Sequence, residues 1–329
     1  MRFAGLIFNH SPHYIDHLAP LCSLLKCPLI ICEPDIVDSC KRFYPDLNII
    51  YSDLFSLKEK LPETIICCEN KTLLMGSLPF LSPSTKTIWL PHGFSDKGAT
   101  RSYFEALNQE LFLLIYGPKM AEVLASKHIQ IPTIKIGNYR YQYFQKHRQF
   151  YEKLLTEQFG NRRFLFYAPS WEDGELSGMF WETYPKLIQN VPNHRHILIK
   201  VHPNTVMRFA PELEYMKGKA PPSIVFVEDF PPIYPLLSRA NGYLGDRSSV
   251  GYDFLPFKQP LWFTVRSKTD PYTDPSAHLM RCGLQITVNE IQKVFEPQEI
   301  SSQHDQLLEQ VFQADSDWYE RIFLKLLGG

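Results

Sequence analysis

The stretch NGYLGDRSSVGYDFLPFKQPLWF, residues 241–263, contains one strand–helix–strand pattern. Apolar runs at its two ends (243–244 and 260–263) flank a polar quartet, Asp246 to Ser249, and a segment in which apolar residues have helical spacing. Short apolar strands separated by helical segments are typical of a parallel sheet covered by helices. The stretch therefore predicts a parallel α/β fold, with the quartet in the loop after a strand.

The same alternation extends along the rest of the chain. A first series of strands is predicted at 3–8, 28–32, 48–51, 64–68, 87–90, 111–116 and 133–137. A second series is predicted at 164–168, 196–201, 223–227, 242–244 and 260–263, after a polar helix over 142–158. Two such series predict an α/β protein with two doubly wound, Rossmann-like domains that face a cleft.

The predicted domain boundaries follow from these series. We expect residues 1–150 to form an N-terminal Rossmann-like domain and residues 151–302 to form a C-terminal one. Apolar residues at helical spacing over 304–327 predict one long amphipathic helix in the last segment, 303–329. This helix is expected to pack back on the N-terminal domain.

The composition excludes several functional classes. Among 329 residues, 34 Lys and Arg nearly balance 35 Asp and Glu, so no global field attracts nucleic acid. The seven cysteines mostly occupy apolar runs, which predicts reduced core thiols and a cytoplasmic protein. Their spacing fits no zinc site or redox pair, and we expect neither a metal nor a cofactor. Peripheral contact with the inner face of the cell membrane remains compatible with the sequence.

Polar residues concentrate where predicted strands end. Four such loops have the sequences HGFSDKG (92–98), YAPSW (167–171), KVHPN (200–204) and GDRSSVG (245–251). The carboxyl ends of parallel strands meet at one edge of a sheet, where α/β proteins bind their ligands. The candidate residues in these loops are His92, Gly93, Lys97, Ser170, His202, Pro203, Asp246, Arg247, Ser248 and Ser249.

Two interpretations of the quartet stay open at this point. If Ser248 or Ser249 begins a helix, the unpaired N–H groups of its first turn and the two hydroxyls can hold a phosphate. Serine and aspartate are also common helix caps, and Asp246 or Ser248 could do no more than that. His10 and His13, which follow the first strand, likewise fit either the acceptor side of the cleft or a solvated loop.

Taken together, the four loops resemble those of the CDP-glycerol glycerophosphotransferases, the family of teichoic-acid primases and polymerases. The similarity covers residues 87–263 and is most specific in DRSSVGYDF followed by KQP (246–260). The segment IGNYRYQYF (136–144) also resembles a family segment through Gly137 and Arg140. The chain departs from the family pattern at Tyr139, Glu172 and Arg247, so the resemblance does not specify which group is transferred.

The resemblance implies a GT-B fold and a transfer of polyol phosphate from a CDP-activated donor to an acceptor hydroxyl, with release of CMP. It implies that His92 is the general base and that His202 contacts the diphosphate. It further implies that the two serines hold a phosphate, that Arg247 or Lys97 adds positive charge, and that Asp229 contacts the base or ribose. Arg140 would lie on the acceptor side.

Two alternatives remain from the sequence. One is a GT-B glycosyltransferase that uses a CMP- or UDP-linked sugar donor in the synthesis of a cell-envelope glycan or lipid. The other is a nucleotide-binding protein that kept the fold and lost the reaction, because a fold does not determine a function. The acceptor, whether lipid-linked or a glycan, is not encoded in any motif.

Overall fold

The computed structural model describes residues 2–96, 102–171 and 178–327, and the chain forms two compact units. The first unit consists of Met1–Phe94, Arg101–His147 and Glu309–Gly329. The second consists of Ser95–Thr100 and Arg148–Leu308. The chain therefore passes from one unit to the other within HGFSDKG (92–98), and it returns to the first unit near the C-terminus.

The strands of both units are short. In the first unit they are β1 (Phe3–Ile7), β2 (Leu29–Ile31), β3 (Ile49–Tyr51), β4 (Thr64–Cys67), β5 (Lys86–Trp89), β6 (Phe112–Ile115) and β7 (Thr133–Lys135). In the second they are β8 (Phe164–Ala168), β9 (Ile197–Ile199), β10 (Ile224–Phe226), β11 (Ala240–Gly245), β12 (Leu261–Thr264) and β13 (Leu284–Ile286). All twelve predicted strands are present, whereas β13 was not predicted because its three residues form no apolar run.

Helices connect the strands. They are α1 (Ile15–Leu25), α2 (Pro34–Phe43), α3 (Leu57–Lys60), α4 (Lys71–Ser77), α5 (Pro118–Ser126), α6 (Tyr139–Lys146), α7 (Arg148–Phe159), α8 (Phe180–Asn190), α9 (Pro203–Arg208), α10 (Ala210–Lys219), α11 (Ile233–Arg239), α12 (Val250–Phe254), α13 (His304–Phe312) and α14 (Trp318–Leu327). Segments of 3-10 helix occupy Pro12–Tyr14, Ser102–Gln109, Leu255–Phe257, Pro275–Cys282 and Val288–Phe295. The helix predicted over 142–158 is in fact two helices, α6 and α7, which meet at His147.

Each unit contains one parallel sheet. The strand order is β3-β2-β1-β4-β5-β6-β7 in the first and β10-β9-β8-β11-β12-β13 in the second. The central strands are buried on both faces, as for β4, β6 and β8, because helices cover both sides of the sheet. In both sheets the strand order reverses beside the first strand of the unit, between β1 and β4 and between β8 and β11. Such switch points open a crevice at the carboxyl ends of the strands.

Residues 304–327 form two helices, α13 and α14, so the prediction of one continuous helix was wrong. The chain leaves helical conformation between α13 and α14, and Asp315 pairs there with the edge strand β7 of the first unit. The Asp315 N–H donates to the Lys135 carbonyl at 2.8 Å, and the Lys135 N–H donates to the Asp315 carboxylate at 3.0 Å. A continuous helix would forgo both bonds. Farther along, Phe323 of α14 packs on Phe3 with ring centroids 5.7 Å apart.

Candidate functional site

At the switch point of the second unit, the side chain of Asp246 joins two loops. It follows β11 directly, is 2% exposed, and accepts hydrogen bonds from the Ser170 N–H at 3.0 and 2.9 Å on its two carboxylate oxygens. Ser170 follows β8, so the bond joins the loops of the two strands on either side of the switch point. A buried carboxylate held in this way positions backbone rather than presenting its own charge to a ligand.

The rest of the quartet is partly exposed and begins a short helix. Residues Val250–Phe254 form α12, as the sequence predicts, with Ser249 in helical conformation before it. The Val250 N–H donates to Ser248 Oγ at 3.3 Å, so Ser248 caps the turn without being buried. Arg247 lies near Asp274: the pKa of this carboxyl is lowered, chiefly by the Ser276 hydroxyl that donates to it, and the Arg247 charge adds to the effect.

His202 lies at the end of the neighbouring strand, β9, and caps helix α9. Its Nδ1 accepts the Asn204 N–H at 3.1 Å, which assigns the imidazole proton to Nε2 and makes that atom a donor. Pro203 occupies the first turn of α9, where its missing N–H costs nothing. The sequence KVHPN therefore encodes an imidazole of fixed tautomer at a strand end.

An aromatic and a cationic side chain accompany His202. The ring of Trp171, from the loop after β8, lies with its centroid 6.2 Å from that of His202 at an interplanar angle of 31°. The Arg208 guanidinium lies over the Trp171 ring, 4.8 Å from its centroid, in cation–π geometry. Arg208 was missed by sequence reasoning, although its position at the end of α9 places it one and a half turns from His202.

The loop after β10 is attached to β9. Lys200 Nζ donates to the Phe230 carbonyl at 2.9 Å, which holds residues 228–230 beside the KVHPN loop. Asp229 is exposed in this loop, two strands away from the switch point in the order β10-β9-β8-β11. It thus lies at the carboxyl edge of the sheet but apart from the Ser170–Asp246 pair.

Asp96 is a second residue that sequence reasoning missed. It belongs to the second unit and is 8% exposed. Its carboxylate accepts the Tyr252 hydroxyl at 2.6 Å and the Leu279 N–H at 3.0 Å, and Tyr252 also contacts His278 Nδ1 at 3.2 Å. Helix α12, which follows the quartet, is anchored through these bonds. The predicted residues Lys97 and Glu172 lie outside the described residues.

In the first unit, His92 belongs to a cluster of aromatic rings at the end of β5. Its exposed ring lies 5.7 Å from that of His13, 5.3 Å from that of Tyr14 and 6.5 Å from that of His17, measured between centroids. Gly93, the next residue, has φ of 122°, a conformation that side chains rarely adopt. The structure thus places His13 beside His92.

His17 is the buried histidine of this cluster. Its Nδ1 lies 3.0 Å from the Tyr116 hydroxyl, which donates to the Pro91 carbonyl at 3.2 Å just before His92. Burial lowers the pKa of His17 well below its ordinary value, and the charges of Arg140, His92 and His13 lower it further. His17 is therefore neutral at physiological pH.

Arg140 and His10 have other partners. Arg140 is buried and forms an ion pair with Asp16 at 2.8 Å, and its guanidinium lies 5.9 Å from the centroid of the Tyr116 ring. His10 is exposed, with its Nδ1 3.4 Å from the Asp35 carboxylate, and Glu33 completes a trio whose ligand atoms lie within 4.8 Å of one another. Nothing in the motif spacing pointed to this trio.

Comparison with known proteins identifies the fold. No protein-family model and no curated protein matches the chain. The chain is similar to the UDP-GlcNAc 2-epimerase of Neisseria meningitidis bound to UDP-GlcNAc, with a TM-score of 0.64, 12% identity and 100% of both chains covered. It is similar to the wall teichoic acid polymerase TagF, with a TM-score of 0.66 and 12% identity over 99% of this chain and 88% of the polymerase. It is also similar to the UDP-GlcNAc 2-epimerase of Methanocaldococcus jannaschii in complex with UDP-GlcNAc and UDP, with a TM-score of 0.65 and 13% identity over 100% of both chains.

At these identities the similarity establishes the fold and nothing finer. The chain is an α/β protein of the GT-B type, built from two Rossmann-like units with sheets of seven and six parallel strands. The GT-B fold expected from the resemblance is confirmed. Within residues 2–96, 102–171 and 178–327, none of the helices combines the length and apolar character of a membrane-spanning segment.

Proposed function

We propose that this protein is a transferase that moves a polyol phosphate from a CDP-activated donor to an acceptor hydroxyl and releases CMP. The observation that carries the proposal is the Ser170–Asp246 bridge at the switch point of the second unit. It fixes the loop of YAPSW against that of DRSSVGYDF, and the second of these segments is where the resemblance to glycerophosphotransferases is most specific. The GT-B fold adds support, because it is shared with a wall teichoic acid polymerase.

The second unit would bind the donor. The Nε2–H of His202 would donate to the diphosphate, since Nδ1 is occupied by the Asn204 N–H. The hydroxyls of Ser248 and Ser249 would donate to the same group, and Arg247 and Lys97 would neutralise its charge. Fixed donors of this kind contribute most of the catalysis in phosphoryl transfer, because they need no reorganisation as charge develops.

The proposed transfer needs one general base, which takes the proton of the acceptor hydroxyl. The acceptor hydroxyl oxygen attacks the β-phosphorus of the donor while His92 takes the hydroxyl proton. The bond between that phosphorus and the bridging oxygen breaks, and CMP leaves with the oxygen and the electron pair. An imidazole has an ordinary pKa of about 6.5, which suits a base near neutral pH. His10, His13 and Arg140 would lie on the acceptor side, and Asp229 would contact the nucleoside.

Product analysis with a panel of donors tests the proposal. The protein is incubated with CDP-glycerol, other CDP-polyols, CMP-sugars and UDP-sugars, with lipid-linked and glycan acceptors, and the released nucleotide is identified by mass spectrometry. CMP from a CDP donor indicates phosphotransfer, whereas CDP from the same donor indicates transfer of the polyol alone. If no nucleotide binds in calorimetry, transferase function is excluded.

Variants then test the roles of the two histidines. His92→Ala and His202→Ala should each lower kcat by at least about 10²-fold, the usual effect of losing a general base or a fixed phosphate donor. His194→Ala is the matched control, because His194 is an exposed histidine in the turn before β9. Turnover near that of the wild type in both active-site variants would contradict the mechanism.

Turnover should also survive a chelator, since the proposed site needs no metal.

A sugar donor is the second candidate. Two of the similar structures are epimerases with UDP-GlcNAc bound, so the same fold accommodates a uridine diphosphate sugar in those proteins. In this case the diphosphate contacts would be the same, but attack would fall on the sugar carbon and UDP would leave. Release of UDP from a UDP-sugar in the donor panel, with no release of CMP from CDP-glycerol, would favour this candidate.

A further inference from the structure

The second unit contains a cavity at the edge of its sheet opposite the candidate site. Its volume is about 250 Å3, and its lining includes Leu165, Asn241 and Trp262, each the second residue of its strand. The cavity thus opens at the amino ends of β8, β11 and β12, whereas the loops with His202 and Asp246 follow the carboxyl ends. The proposed transfer does not use this cavity.

Three buried polar atoms of the lining make no hydrogen bond within the described part of the chain. They are Nε1 of Trp262, Nε of Arg195 and Oε1 of Gln298. Trp262 is only 4% exposed, and the far edge of its six-membered ring packs against Gly242, where an added Cβ would lie 2.6 Å from it. The indole N–H lies on the opposite side of the ring.

Unpaired buried donors and acceptors are rare in native proteins, because each loses its bonds to water without replacement. Three unpaired polar atoms around one cavity indicate that a polar group occupies it. Water can fill a polar cavity of this size, but two of the three atoms are donors and one belongs to a guanidinium. No carboxylate of the described residues pairs with Arg195. Glu296 also lines the cavity, but this residue is exposed to solvent, whereas the unpaired donor atoms of Trp262 and Arg195 are buried. These two buried donors therefore favour an anionic group over neutral water.

We propose that this cavity is a second ligand site that binds a small organic anion. A carboxylate or phosphate monoester of the ligand would accept hydrogen bonds from Arg195 and Trp262, the donors that lack a partner. A hydroxyl of the ligand would donate to Gln298 Oε1, whose own amide already donates to the Leu261 carbonyl at 3.3 Å. The side chains of Asn241 and Gln259 also line the cavity and can hold further polar groups.

Indole resonances in a two-dimensional 15N–1H NMR spectrum test this site directly. The chain has five tryptophans, and Trp262→Phe identifies the resonance of Trp262 by its loss. Trp171, in the candidate donor site, is assigned in the same way and reports on that site separately. The probes are glycerol 3-phosphate, malate and inorganic phosphate, with neutral glycerol as the control.

We expect the Trp262 resonance to shift saturably with glycerol 3-phosphate or malate, but not with glycerol. Arg195→Gln should weaken anion binding at Trp262 at least tenfold. Arg208 lies beside Trp171, so Arg208→Gln should leave the affinity at Trp262 unchanged. Arg195 lies in the turn before β9 and is partly exposed, so its replacement leaves the core intact. The test does not depend on transferase activity, because it needs no donor nucleotide.

Three results would overturn the proposal. The first is the absence of a saturable Trp262 shift with either organic anion at millimolar concentration, which indicates a cavity that holds water only. The second is a shift with inorganic phosphate alone, which indicates an adventitious ion only. The third is a Trp262 shift that persists unchanged in Arg195→Gln.

Discussion

At the scale of single residues, the candidate site depends on bonds that fix loops. Asp246 is the clearest case: its two carboxylate oxygens both accept the N–H of Ser170, a buried residue of another loop. Its burial and its pairing with Ser170 make it a positioning residue. The partly exposed members of the quartet, Arg247, Ser248 and Ser249, are the ones available to a ligand.

Replacing Asp246 should therefore reduce stability as well as binding. Asp246→Ala leaves the buried Ser170 N–H without an acceptor, which costs about 1–3 kcal/mol of unfolding free energy. Asp246→Asn keeps one acceptor oxygen and should cost less. Urea denaturation measures both, with Asp229→Ala as the exposed control that should change stability by less than about 0.5 kcal/mol. An unfolding free energy equal to that of the wild type in Asp246→Ala would disprove the positioning role.

His17 should make stability depend on pH. Its folded-state pKa is lowered, mainly by burial, so below about pH 6.5 the unfolded chain binds a proton that the native protein does not. The free energy of unfolding should therefore be unaffected by this residue above pH 6.5 and should fall below it, by at most about 1.4 kcal/mol per pH unit.

His17→Asn isolates this contribution, because the asparagine amide can still donate to the Tyr116 hydroxyl. Unfolding free energies are measured between pH 7.5 and 5.5, about one unit on either side of the ordinary histidine pKa. The variant should lose less stability over this interval than the wild type. Equal losses in the two proteins would mean that His17 takes up its proton in the native state.

At the scale of elements, the break between α13 and α14 decides how the end of the chain joins the first unit. The spacing of apolar residues over 304–327 is consistent with one continuous helix, so hydrophobic periodicity could not reveal the break. Two glycines of the first unit permit it. An added Cβ at Gly117 would lie 2.4 Å from the Val311 carbonyl oxygen, and one at Gly137 would lie 2.8 Å from the Ala314 Cβ.

Gly137 and Gly160 form a matched pair for testing this contact. Both have positive φ, 64° and 65°, but an added Cβ at Gly160 has no neighbour within 4 Å. Gly160→Ala should cost only the backbone strain, about 1–2 kcal/mol. Gly137→Ala should cost more, since the methyl group also displaces the segment after α13. Equal losses of stability in thermal denaturation would show that the segment is not held against Gly137.

At the scale of the whole molecule, the thiols report on the integrity of both cores. All seven cysteines are free and buried, six in the first unit and Cys282 in the second. Burial raises the pKa of Cys32 to about 11 and that of Cys40, Cys67 and Cys282 to about 12. Because the thiolate is the reactive form, native thiols should be inert.

Titration with Ellman's reagent at pH 8 should therefore detect almost no thiol in the native protein and all seven in denaturant. The Cys282→Ser variant, measured at increasing urea, reports on the first unit alone, and the difference from the wild type reports on the second. Rapid reaction of several thiols without denaturant would contradict buried cores.

Local pattern was enough to predict every described strand except β13, the two sheets and the loops that carry candidate residues. Strand periodicity, apolar runs and turn residues are properties of neighbouring positions, and these were right for every predicted strand. The quartet in GDRSSVG was likewise recognisable as the start of a helix. Its capping and anion-binding interpretations could not be separated, because both require the same residue types in the same order.

The tertiary structure alone decided which polar residues meet. Ser170 and Asp246 are 76 positions apart, Asp96 and Tyr252 are 156 apart, and Arg140 and Asp16 are 124 apart. No local pattern encodes such pairs, since they arise when packing of the sheet brings separate loops together. The sequence by itself determined the elements and the residue types at strand ends. Packing determined that Asp246 positions a loop, that Arg140 is paired with Asp16, and that Trp262, Arg195 and Gln298 surround one cavity.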